Sequence, residues 1–505
     1  NRPMARKGRG MNLKSFVLFL SAVAAGNASA ETEKPNIVFL MADDMGYGDV
    51  GCYNPQSKIP TPNMDRLAKE GMRFTDAHTP SSVCTPTRYG VLTGRYCWRS
   101  RLKRGVQWGF DHPLIESDRV TVASFLKRNG YATACVGKWH LGLGWTTKDG
   151  DEGPWADRSK DKPHQAGWGI DYAKPLRGGP NALGFDYFFG ISASNNMPPY
   201  CFIENARVVG NPNVVKSPLH YGNSKAPMVA GWDDSRYGPT MTDKAIRFIE
   251  RHHGDHPNQP FFLYFPSQAP HRPCVPPDFV QGKSQAGRRG DMVFEFDWSV
   301  GRVLETLDRL GLAENTLIFV TSDNGATPGD PFPPESKKRN GNVFGETHGH
   351  KSCGDWRGYK SQIWEGGHRV PFLARWPKRV QAGSVNNELI CLTDLLATVA
   401  DVLDANLPKG AGADGGSLLP VLLGKATKPV HEAVVHHDFS GRFAIRQGDW
   451  KYVAPATAVA RRRDDPKQAL YNLRDDPRET MDQSAKHRDV VRRLANLLAL
   501  IQEAE

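Results

Sequence analysis

Two pairs of side chains with oxygen ligands each follow a short apolar run of the chain. Asp43-Asp44 comes after the run at 36–40, and Asp323-Asn324 comes after the run at 317–320. Three carboxylates and one amide oxygen are hard donors, which suit Ca²⁺ or Mg²⁺ and do not suit Zn²⁺. A single pair of this kind is more often a turn or a helix cap. Two pairs that each end a buried run favour a metal site.

Cys84 lies in the segment Cys84-Thr85-Pro86-Thr87-Arg88, at the predicted start of a helix that runs toward Gly94. A helix N-terminus stabilises negative charge, and Arg88 adds a cation one turn later. Spacing alone leaves two interpretations of Cys84 open. It is either a reactive thiolate of low pKa or a buried structural thiol.

Four more side chains could bind or protonate an anion: Lys138, His140, His271 and Lys360. Lysines hold oxyanions, and a histidine can protonate a leaving oxygen. A lone histidine is more often structural than catalytic. We expect all four side chains at strand ends around the metal site, and that arrangement would indicate a catalytic centre.

Apolar runs at 36–40, 131–136, 261–265 and 317–320 alternate with helical patterns, for example after the N-cap Thr61 and at 291–310. This alternation predicts an α/β fold, in which helices sandwich a large, mostly parallel sheet. In such sheets, sites form beyond the carboxyl ends of the strands, where the polar residues named above would meet.

The pattern changes from about Val430, where short strand-like pieces precede a closing amphipathic helix. This change predicts a smaller C-terminal α+β subdomain that contains an antiparallel sheet. We therefore divide the chain into a signal peptide at 1–30, a catalytic α/β domain at 31–425 and a C-terminal subdomain at 426–505.

The first thirty residues have the features of a signal peptide. Lys14 precedes a short apolar run at 16–20, and Ala28-Ser29-Ala30 is a typical cleavage site. The run is too short to span a bilayer, so we expect an exported protein, periplasmic or extracellular, with no stable membrane anchor.

The charge of the chain gives no sign of nucleic-acid binding. The predicted signal peptide carries five basic residues and no acidic one, so its removal lowers the net charge from +11 by 5 to +6. The remaining basic residues are scattered without a nucleic-acid-binding motif, although a mild surplus could favour anionic substrates. Eight cysteines without a C-x-x-C pair exclude the usual zinc-ribbon and thioredoxin spacings.

Taken together, these motifs resemble the type I sulfatases of the alkaline phosphatase superfamily. The segment from Cys84 to Arg88, followed by Leu92-Thr93-Gly94-Arg95, is similar to the family signature. Thr87 departs from it, because the family commonly has serine there, but the Cys-x-Pro-x-Arg frame is kept. Further segments that match in family order are 35–44, 137–142, 269–271, 321–325, 358–360 with 365–367, and 471–479.

The resemblance implies a formylglycine-dependent arylsulfatase-like enzyme that hydrolyses carbohydrate or aryl sulfate esters. A maturase would convert Cys84 to formylglycine (3-oxoalanine) before folding, and its hydrate would supply the nucleophilic oxygen. The implied calcium ligands are Asp43, Asp44, the modified Cys84, Asp323 and Asn324. Arg88, Lys138 and Lys360 would hold the sulfate or the formylglycine, His140 would hydrogen-bond the diol, and His271 would protonate the leaving oxygen. The implied partner is a sulfated small molecule or glycan.

Two alternatives to a sulfatase stay open at this point. A phosphonate or phosphate ester hydrolase of the same superfamily would have a similar metal site. A secreted glycan-binding protein with a degenerate site is the other, although every expected site residue is present.

Two further motifs are weaker. The segment at 46–51 fits G-x-G-x-x-G, but Asn54-Pro55 interrupts the required helix and Asp43-Asp44 would repel a pyrophosphate. His431 and His436 are one residue too far apart for a zincin helix, so we reject that interpretation.

Overall fold

A computed structural model describes residues 34–150, 167–216, 225–327, 329, 347–456 and 468–504. The predicted signal peptide lies outside the described residues. Within the described ranges, no helix has both the length and the apolar character needed to cross a membrane.

The strands are, in chain order, β1 (Asn36–Ala42), β2 (Met72–Phe74), β3 (Ala77–His78), β4 (Ala132–Lys138), β5 (Tyr187–Ile191), β6 (Ile203–Glu204), β7 (Arg207–Val208), β8 (Pro212–Lys216), β9 (Ala226–Val229), β10 (Phe261–Pro266), β11 (Thr316–Ser322), β12 (Phe372–Arg375), β13 (Ser384–Asn386), β14 (Ile390–Cys391), β15 (Val434–His437), β16 (Phe443–Gln447), β17 (Trp450–Val453) and β18 (Ala469–Asn472). The helices are α1 (Pro62–Glu70), α2 (Cys84–Thr93), α3 (Val122–Arg128), α4 (Tyr237–Asp255), α5 (Gly287–Arg309), α6 (Glu365–His368), α7 (Leu395–Val402), α8 (Leu419–Leu422) and α9 (Arg488–Glu503).

One large sheet organises the chain, with the strand order β13-β2-β12-β11-β1-β10-β4-β5-β6-β7. Its centre, from β11 to β5, is entirely parallel, whereas β12 and β6 run antiparallel to their inner neighbours. The four predicted apolar runs are β11, β1, β10 and β4, and they lie side by side in this order. The predicted fold class, an α/β protein with a mostly parallel sheet, is therefore confirmed.

Strand β1 shows why the sheet is covered on both faces. Its side chains alternate, so that Ile37 and Phe39 pack in one hydrophobic core while Val38 and Leu40 pack in the other. Helices α1, α4 and α5 supply the core around Val38, and α2, α3 and α7 supply the core around Phe39. Both faces of the central strands are buried, which explains their continuous apolar sequences.

The C-terminal part forms a separate four-stranded antiparallel sheet, β15-β16-β17-β18. Helix α9 packs on it through the buried residues Leu494 and Leu498. The predicted antiparallel sheet and closing helix are confirmed, and the domain boundary at 425/426 stays a prediction. His436 lies on strand β15 and not on a helix, in agreement with our rejection of the zincin motif.

Candidate active site

The two oxygen-donor pairs meet at the carboxyl edge of the sheet. Strands β1 and β11 are adjacent and in register, with Ala42 opposite Ser322, so the residues that follow them are neighbours. The Asp44 amide donates to Oδ1 of Asp323 at 3.3 Å, and Nδ2 of Asn324 donates to Oδ1 of Asp44 at 2.7 Å. The structure therefore brings the four predicted metal ligands Asp43, Asp44, Asp323 and Asn324 together.

Two oxygens of this group are buried and unpaired. Oδ1 of Asp43 and Oδ1 of Asn324 have no hydrogen-bond partner in the part of the chain that the structure describes. Ligand atoms of Asp43, Cys84 and Asp323 lie within 4.8 Å of one another. A cation that prefers several oxygen ligands, such as Ca²⁺, would satisfy these atoms. The residues present thus fit a hard cation such as Ca²⁺ or Mg²⁺, as the donor set predicted, and so fit the calcium ion that the resemblance implied.

Cys84 is the first residue of α2, and Gly94 ends this helix at a φ of 62°, as the sequence predicted. Burial raises the pKa of the Cys84 thiol, although Lys138 and Lys360 act in the opposite direction. The interpretation of Cys84 as a low-pKa thiolate is therefore wrong, because desolvation outweighs the helix start and the nearby cations. Thr87 keeps a hydroxyl that donates to the Ser81 carbonyl at 3.2 Å.

Arg88 links Cys84 to the metal-ligand group. Its Nε and Nη2 donate to Oδ2 of Asp323 at 3.0 and 2.7 Å, and Nη1 donates to the Lys138 carbonyl at 3.0 Å. The guanidinium is fully buried. Arg88 therefore fixes both the end of β4 and one carboxylate of the site.

Two lysines pair with the first carboxylate pair. Lys138, the last residue of β4, contacts Asp43, and Nζ of Lys360 lies 2.5 Å from Oδ1 of Asp44. Burial would raise the pKa of Asp43 and of Asp44, but the cations, led by Lys138 and by Lys360 respectively, lower both below their usual range. Both carboxylates are therefore ionised.

Lys360 differs from the prediction in one respect, because it lies in a loop and not at a strand end. Its amide donates to the Ala326 carbonyl at 2.9 Å, and the Ser361 amide donates to the Ser82 carbonyl at 2.8 Å. These bonds hold the loop between the segment after β11 and the segment before Cys84.

The two predicted site histidines are buried and neutral. Nε2 of His140 donates to the Gln107 carbonyl at 2.8 Å, which leaves Nδ1 without a hydrogen-bond partner among the described residues. Nδ1 of His271 donates to the Arg272 carbonyl at 2.7 Å, and Nε2 lies 3.9 Å from Oδ2 of Asp44. Burial and then Lys360 lower the pKa of His271 to about 3. His271 can act as an acid only after the charge around it has changed.

The charges of the group nearly cancel. Burial, then repulsion from Asp43, raises the pKa of Asp323 above its usual range despite Arg88. The three carboxylates of Asp43, Asp44 and Asp323 face Arg88, Lys138 and Lys360. A divalent cation would therefore leave the site positive, which favours an anionic substrate.

The segment at 192–196 after β5 joins this site and was not predicted from sequence. The Ser192 carbonyl accepts from the His140 amide at 3.0 Å, and the carbonyl of Ile191, the last residue of β5, accepts from the Trp139 amide at 3.1 Å. Oγ of Ser194 is buried and has no hydrogen-bond partner among the described residues, as is true of Nδ1 of His140. The apolar run at 187–191, followed by small polar residues, is the signal that could have identified this fifth parallel strand and its segment.

A second missed group positions the metal-ligand loop. Nη2 of Arg289, on α5, donates to the Asp44 carbonyl at 2.8 Å and to Asp49 at 2.7 Å. Asp44 has a φ of 70°, which is uncommon for a residue other than glycine. The G-x-G-x-x-G motif belongs to this loop: a Cβ on Gly46 would lie 2.1 Å from the Ser352 carbonyl oxygen. Close packing therefore explains this glycine without a bound nucleotide.

Comparisons with known proteins agree with this geometry. The family model "Sulfatase" matches residues 35–405, and the model "N-sulphoglucosamine sulphohydrolase, C-terminal" matches residues 354–504. The chain is 34% identical to the N-acetylgalactosamine-6-O-sulfatase of Bacteroides thetaiotaomicron, over 93% of this chain and 94% of that protein. It is also 34% identical to human arylsulfatase A, over 86% of this chain and 76% of that protein.

A solved structure shows the same fold. It comes from work on the metabolism of multiple glycosaminoglycans by Bacteroides thetaiotaomicron, and it matches with a TM-score of 0.80 and 33% sequence identity. The match covers 94% of this chain and 100% of that one. The resemblance stated from the motifs is confirmed: the chain belongs to the sulfatases, a family of sulfuric ester hydrolases in the alkaline phosphatase-like superfamily.

Proposed function

We propose that the protein hydrolyses a carbohydrate or aryl O-sulfate at a calcium- and formylglycine-dependent centre built around position 84, and releases inorganic sulfate. The observation that carries the proposal is the convergence of unpaired buried oxygens, Cys84 and two lysines at one edge of the sheet. Export to the periplasm or the extracellular space is part of the proposal and rests on the sequence of the first thirty residues.

Calcium would be held by Asp43, Asp44, Asp323, Asn324 and the oxygen of the modified residue 84. It supplies positive charge that polarises oxygen atoms at the reacting centre. The protein side chains keep that position selective for a hard cation, because four of the proposed ligands offer only oxygen toward it. Arg289 and Asn324 hold the Asp44 loop in its left-handed conformation, so the ligand set is preorganised.

Lys138 and Lys360 have a role in binding the sulfate group. In the structure they contact Asp43 and Asp44, which are also the proposed calcium ligands. A bound cation would compete with the lysines for these carboxylates and free the ammonium groups to hold sulfate oxygens. Arg88 stays paired with Asp323, so its contribution is to hold the carboxylate and the start of α2 in place.

The histidines have distinct proton positions. His140 presents an unprotonated Nδ1 beside the start of α2, where it can accept a hydrogen bond from the modified residue 84. His271 has its proton on Nδ1, directed at a carbonyl, so Nε2 is the atom that can take up and deliver a proton. A negatively charged sulfate ester near Nε2 would raise the pKa of His271 and charge it for protonation of the leaving oxygen.

Burial sets the order of maturation. Every residue of α2 is buried, and Cys84 is only 2% exposed. A modifying enzyme cannot reach this side chain in the folded protein. Conversion to formylglycine would therefore occur on the unfolded chain, and it replaces a thiol of raised pKa by a hydrated aldehyde with two hydroxyl groups for nucleophilic catalysis.

The test combines mass spectrometry with turnover. The peptide that contains Cys84 is expected to be about 18 Da lighter than its cysteine form, because oxidation replaces the thiol by an aldehyde. The same preparation should release sulfate from sulfate esters and lose this activity in a calcium chelator, with recovery on adding Ca²⁺. An unmodified thiol in fully active enzyme would refute the formylglycine centre. Faster turnover of a phosphate diester or phosphonate ester would favour the other hydrolase of the superfamily. Fully modified protein that turns over no ester would indicate the glycan-binding alternative.

A further inference from the structure

Several uncharged polar residues next to the catalytic side chains have a buried side-chain oxygen without a hydrogen-bond partner among the described residues. We propose that Gln107, Ser192, Asn195 and Asn196, hereafter the polar wall, bind the uncharged hydroxyl or acetamido groups of the sugar that carries the sulfate. This inference rests on the proposed sulfate ester hydrolysis. It narrows the substrate class to sulfate esters of a neutral hexose or N-acetylhexosamine, as against aryl or steroid sulfates.

The polar wall is attached directly to the catalytic side chains. The Ser192 carbonyl accepts from the His140 amide at 3.0 Å. The backbone amide of Asn195 donates to Oε1 of Gln268 at 3.0 Å. In turn, Nε2 of Gln268 donates to the backbone carbonyl of His271 at 3.1 Å. The segment at 192–196 is therefore held on one side by His140 and on the other by the loop of His271.

Gln107 closes the same wall from a different part of the chain. The backbone carbonyl of Gln107 accepts from Nε2 of His140 at 2.8 Å. The backbone amide of Gln107 donates to Oγ1 of Thr85 at 3.1 Å, and Thr85 directly follows the nucleophile position. Gln107 thus lies beside both His140 and the start of α2.

The side-chain oxygens of the polar wall are unsatisfied. Oε1 of Gln107, Oγ of Ser192 and Oδ1 of Asn195 and Asn196 form no hydrogen bond with another described residue, and the four residues are 1–6% exposed. A buried polar atom without a partner is rare in proteins and calls for an explanation. Oδ1 of Asp43 and Asn324 and Nδ1 of His140, in the neighbouring catalytic group, have the same property. Through their backbone hydrogen bonds, residues of the polar wall therefore adjoin residues assigned to catalysis.

The chemistry of the polar wall indicates the ligand. Amide and hydroxyl groups both donate and accept hydrogen bonds, which matches sugar hydroxyls and the N–H and C=O of an acetamido group. None of the four side chains is charged, so the wall offers no counter-ion for a uronate carboxylate or a second sulfate. An aryl or steroid group has no comparable donors and would leave these oxygens unpaired. A site built to hydrogen-bond a substrate hydroxyl discriminates strongly against an analogue that lacks it.

The experiment compares two substrate types on each variant. The modified, calcium-loaded enzyme is assayed on 4-nitrophenyl sulfate and on a panel of the mono-O-sulfates of N-acetylgalactosamine, N-acetylglucosamine and galactose, with the sulfate at each available ring position and at the 6-position. The readout is the ratio of kcat/KM for the sugar that is turned over fastest to kcat/KM for the aryl ester. Asn195→Leu and Asn196→Leu keep the branching and the number of side-chain heavy atoms and remove the hydrogen-bonding groups. Each is expected to lower the ratio about 10- to 100-fold. The matched control is Asn258→Ala at an exposed position, which should leave the ratio unchanged.

A second pair of variants keeps the test valid if a leucine variant fails to fold. Ser192→Ala and Gln107→Met add no charge to the buried wall and remove the hydrogen-bonding groups, and both are expected to lower the same ratio. The polar wall is refuted if the ratio stays within about threefold of the wild-type value in all folded variants. It is also refuted if the wild type hydrolyses the aryl ester and no sugar of the panel. Wild-type enzyme that hydrolyses no sulfate ester at all would instead overturn the proposed function.

Discussion

Two buried groups of charged side chains flank the segment that leads to Cys84, and they differ in how their oxygens are paired. The catalytic group contains Asp43, Asp44 and Asp323 with Arg88, Lys138 and Lys360. The second group, hereafter the clamp, contains Asp76, His78, Glu365, His368, Arg369, His436, Arg446, Lys451 and Glu479. The clamp places histidine and carboxylate atoms close enough for a metal ion, and so do Asp43 and Asp44 of the catalytic group together with the neighbouring His271. Composition and distance therefore do not separate them.

In the clamp, cations and N–H groups meet the carboxylates. Oδ1 of Asp76 lies 2.9 Å from Nη1 of Arg369, and Oδ2 accepts from Arg446 at 2.9 Å. Nζ of Lys451 lies 3.1 Å from Oε1 of Glu365 and 2.7 Å from Oε1 of Glu479. These pairs join α6 and the residues around β3 to the C-terminal strands β16 and β17. The clamp is thus a connection between the large sheet and the C-terminal sheet.

Three histidines of the clamp lie close enough together to resemble a metal site. Nδ1 of His78 lies 3.0 Å from Nδ1 of His368, and the rings of His368 and His436 stack at 3.9 Å. Nε2 of His436 has no hydrogen-bond partner among the described residues. However, Nζ of Lys451 lies 3.0 Å from Nε2 of His368, and a divalent cation would face this charge. Oδ1 of Asp43 and Oδ1 of Asn324 have no hydrogen-bond partner among the described residues. Oε1 of Glu479 also lacks a hydrogen bond there, but it lies 2.7 Å from Nζ of Lys451 and is ion-paired. Oxygens left open to a cation, as against oxygens that already face one, distinguish the reactive centre from the structural group.

The largest effect is expected for Cys84→Ala. This change removes the precursor of the nucleophile without touching the clamp, so activity on a sulfate ester should fall by roughly 10⁴-fold or more. The melting temperature should stay close to that of the wild type, because the side chain is small and makes no ion pair. Turnover and thermal unfolding are measured on the same preparation. Activity within about tenfold of the wild-type value would remove Cys84 from the mechanism.

Calcium should bind only at the catalytic group, so its effect on the melting temperature should depend on that group and not on the clamp. A ligand that binds the native state at 100 times its Kd adds about 2.7 kcal/mol to the free energy of unfolding. We expect added Ca²⁺ to raise the melting temperature of the wild type and not of Asp323→Ala, which should also lose roughly 10³-fold in kcat. Glu365→Gln, in the clamp, should keep the calcium-dependent rise from a lower starting temperature. The same calcium response in both variants would contradict the assignment of the metal site.

The parts of the fold that sequence alone predicts are those with local signals. β1, β4, β10 and β11 are continuous apolar runs because both of their faces are buried, and α1 has its N-cap Thr61 and its terminal Gly71. The antiparallel strand β12, between β2 and β11, has four residues, too few for a periodic pattern to stand out. Strand β5 was missed although it is buried, because no expected site residue directed attention to its end.

The sequence predicted the site residues that directly follow strands. The prediction was incomplete where segments far apart in the chain meet. The four metal ligands follow β1 and β11, so their meeting is a consequence of topology. The clamp depends on pairs such as Asp76 and Arg446, 370 positions apart, and no spacing rule connects them. The thiolate interpretation of Cys84 failed for a related reason, because burial is a tertiary property and outweighed the local helix start.

Breaking the clamp should cost stability and not chemistry. Lys451→Met leaves Glu365 and Glu479 without their common cation in a buried site, and we expect a loss of about 3–5 kcal/mol in the free energy of unfolding. The triple change with Glu365→Gln and Glu479→Gln should recover part of this loss, because no buried charge is left unpaired. The matched control, Arg66→Met at the half-exposed pair with Glu70, should cost less than about 1 kcal/mol. A mild effect of Lys451→Met, measured by denaturant unfolding, would mean that the clamp is not a structural unit.

Acid should weaken the C-terminal sheet through its buried histidines. Burial lowers the pKa of His437, the neighbour of the clamp residue His436, to about 4, although the Asp438 backbone acts in the opposite direction. An unfolded histidine has a pKa near 6.5, so between these values the unfolded chain binds more protons and stability falls as pH falls. For His437 alone the loss is roughly 1 kcal/mol at pH 5.5, with almost none above about pH 7.5 and little further loss below about pH 3.

Calorimetry between pH 7.5 and pH 4.5 tests this expectation. His437→Gln should make the melting temperature less dependent on pH by about the uptake of one proton, because glutamine does not titrate. His256→Gln, at an exposed position, is the control and should leave the slope as it is. An unchanged slope in His437→Gln would show that His437 is not held neutral by burial. It would also weaken the contrast with the catalytic group, because water would then reach the sheet beside the clamp residue His436.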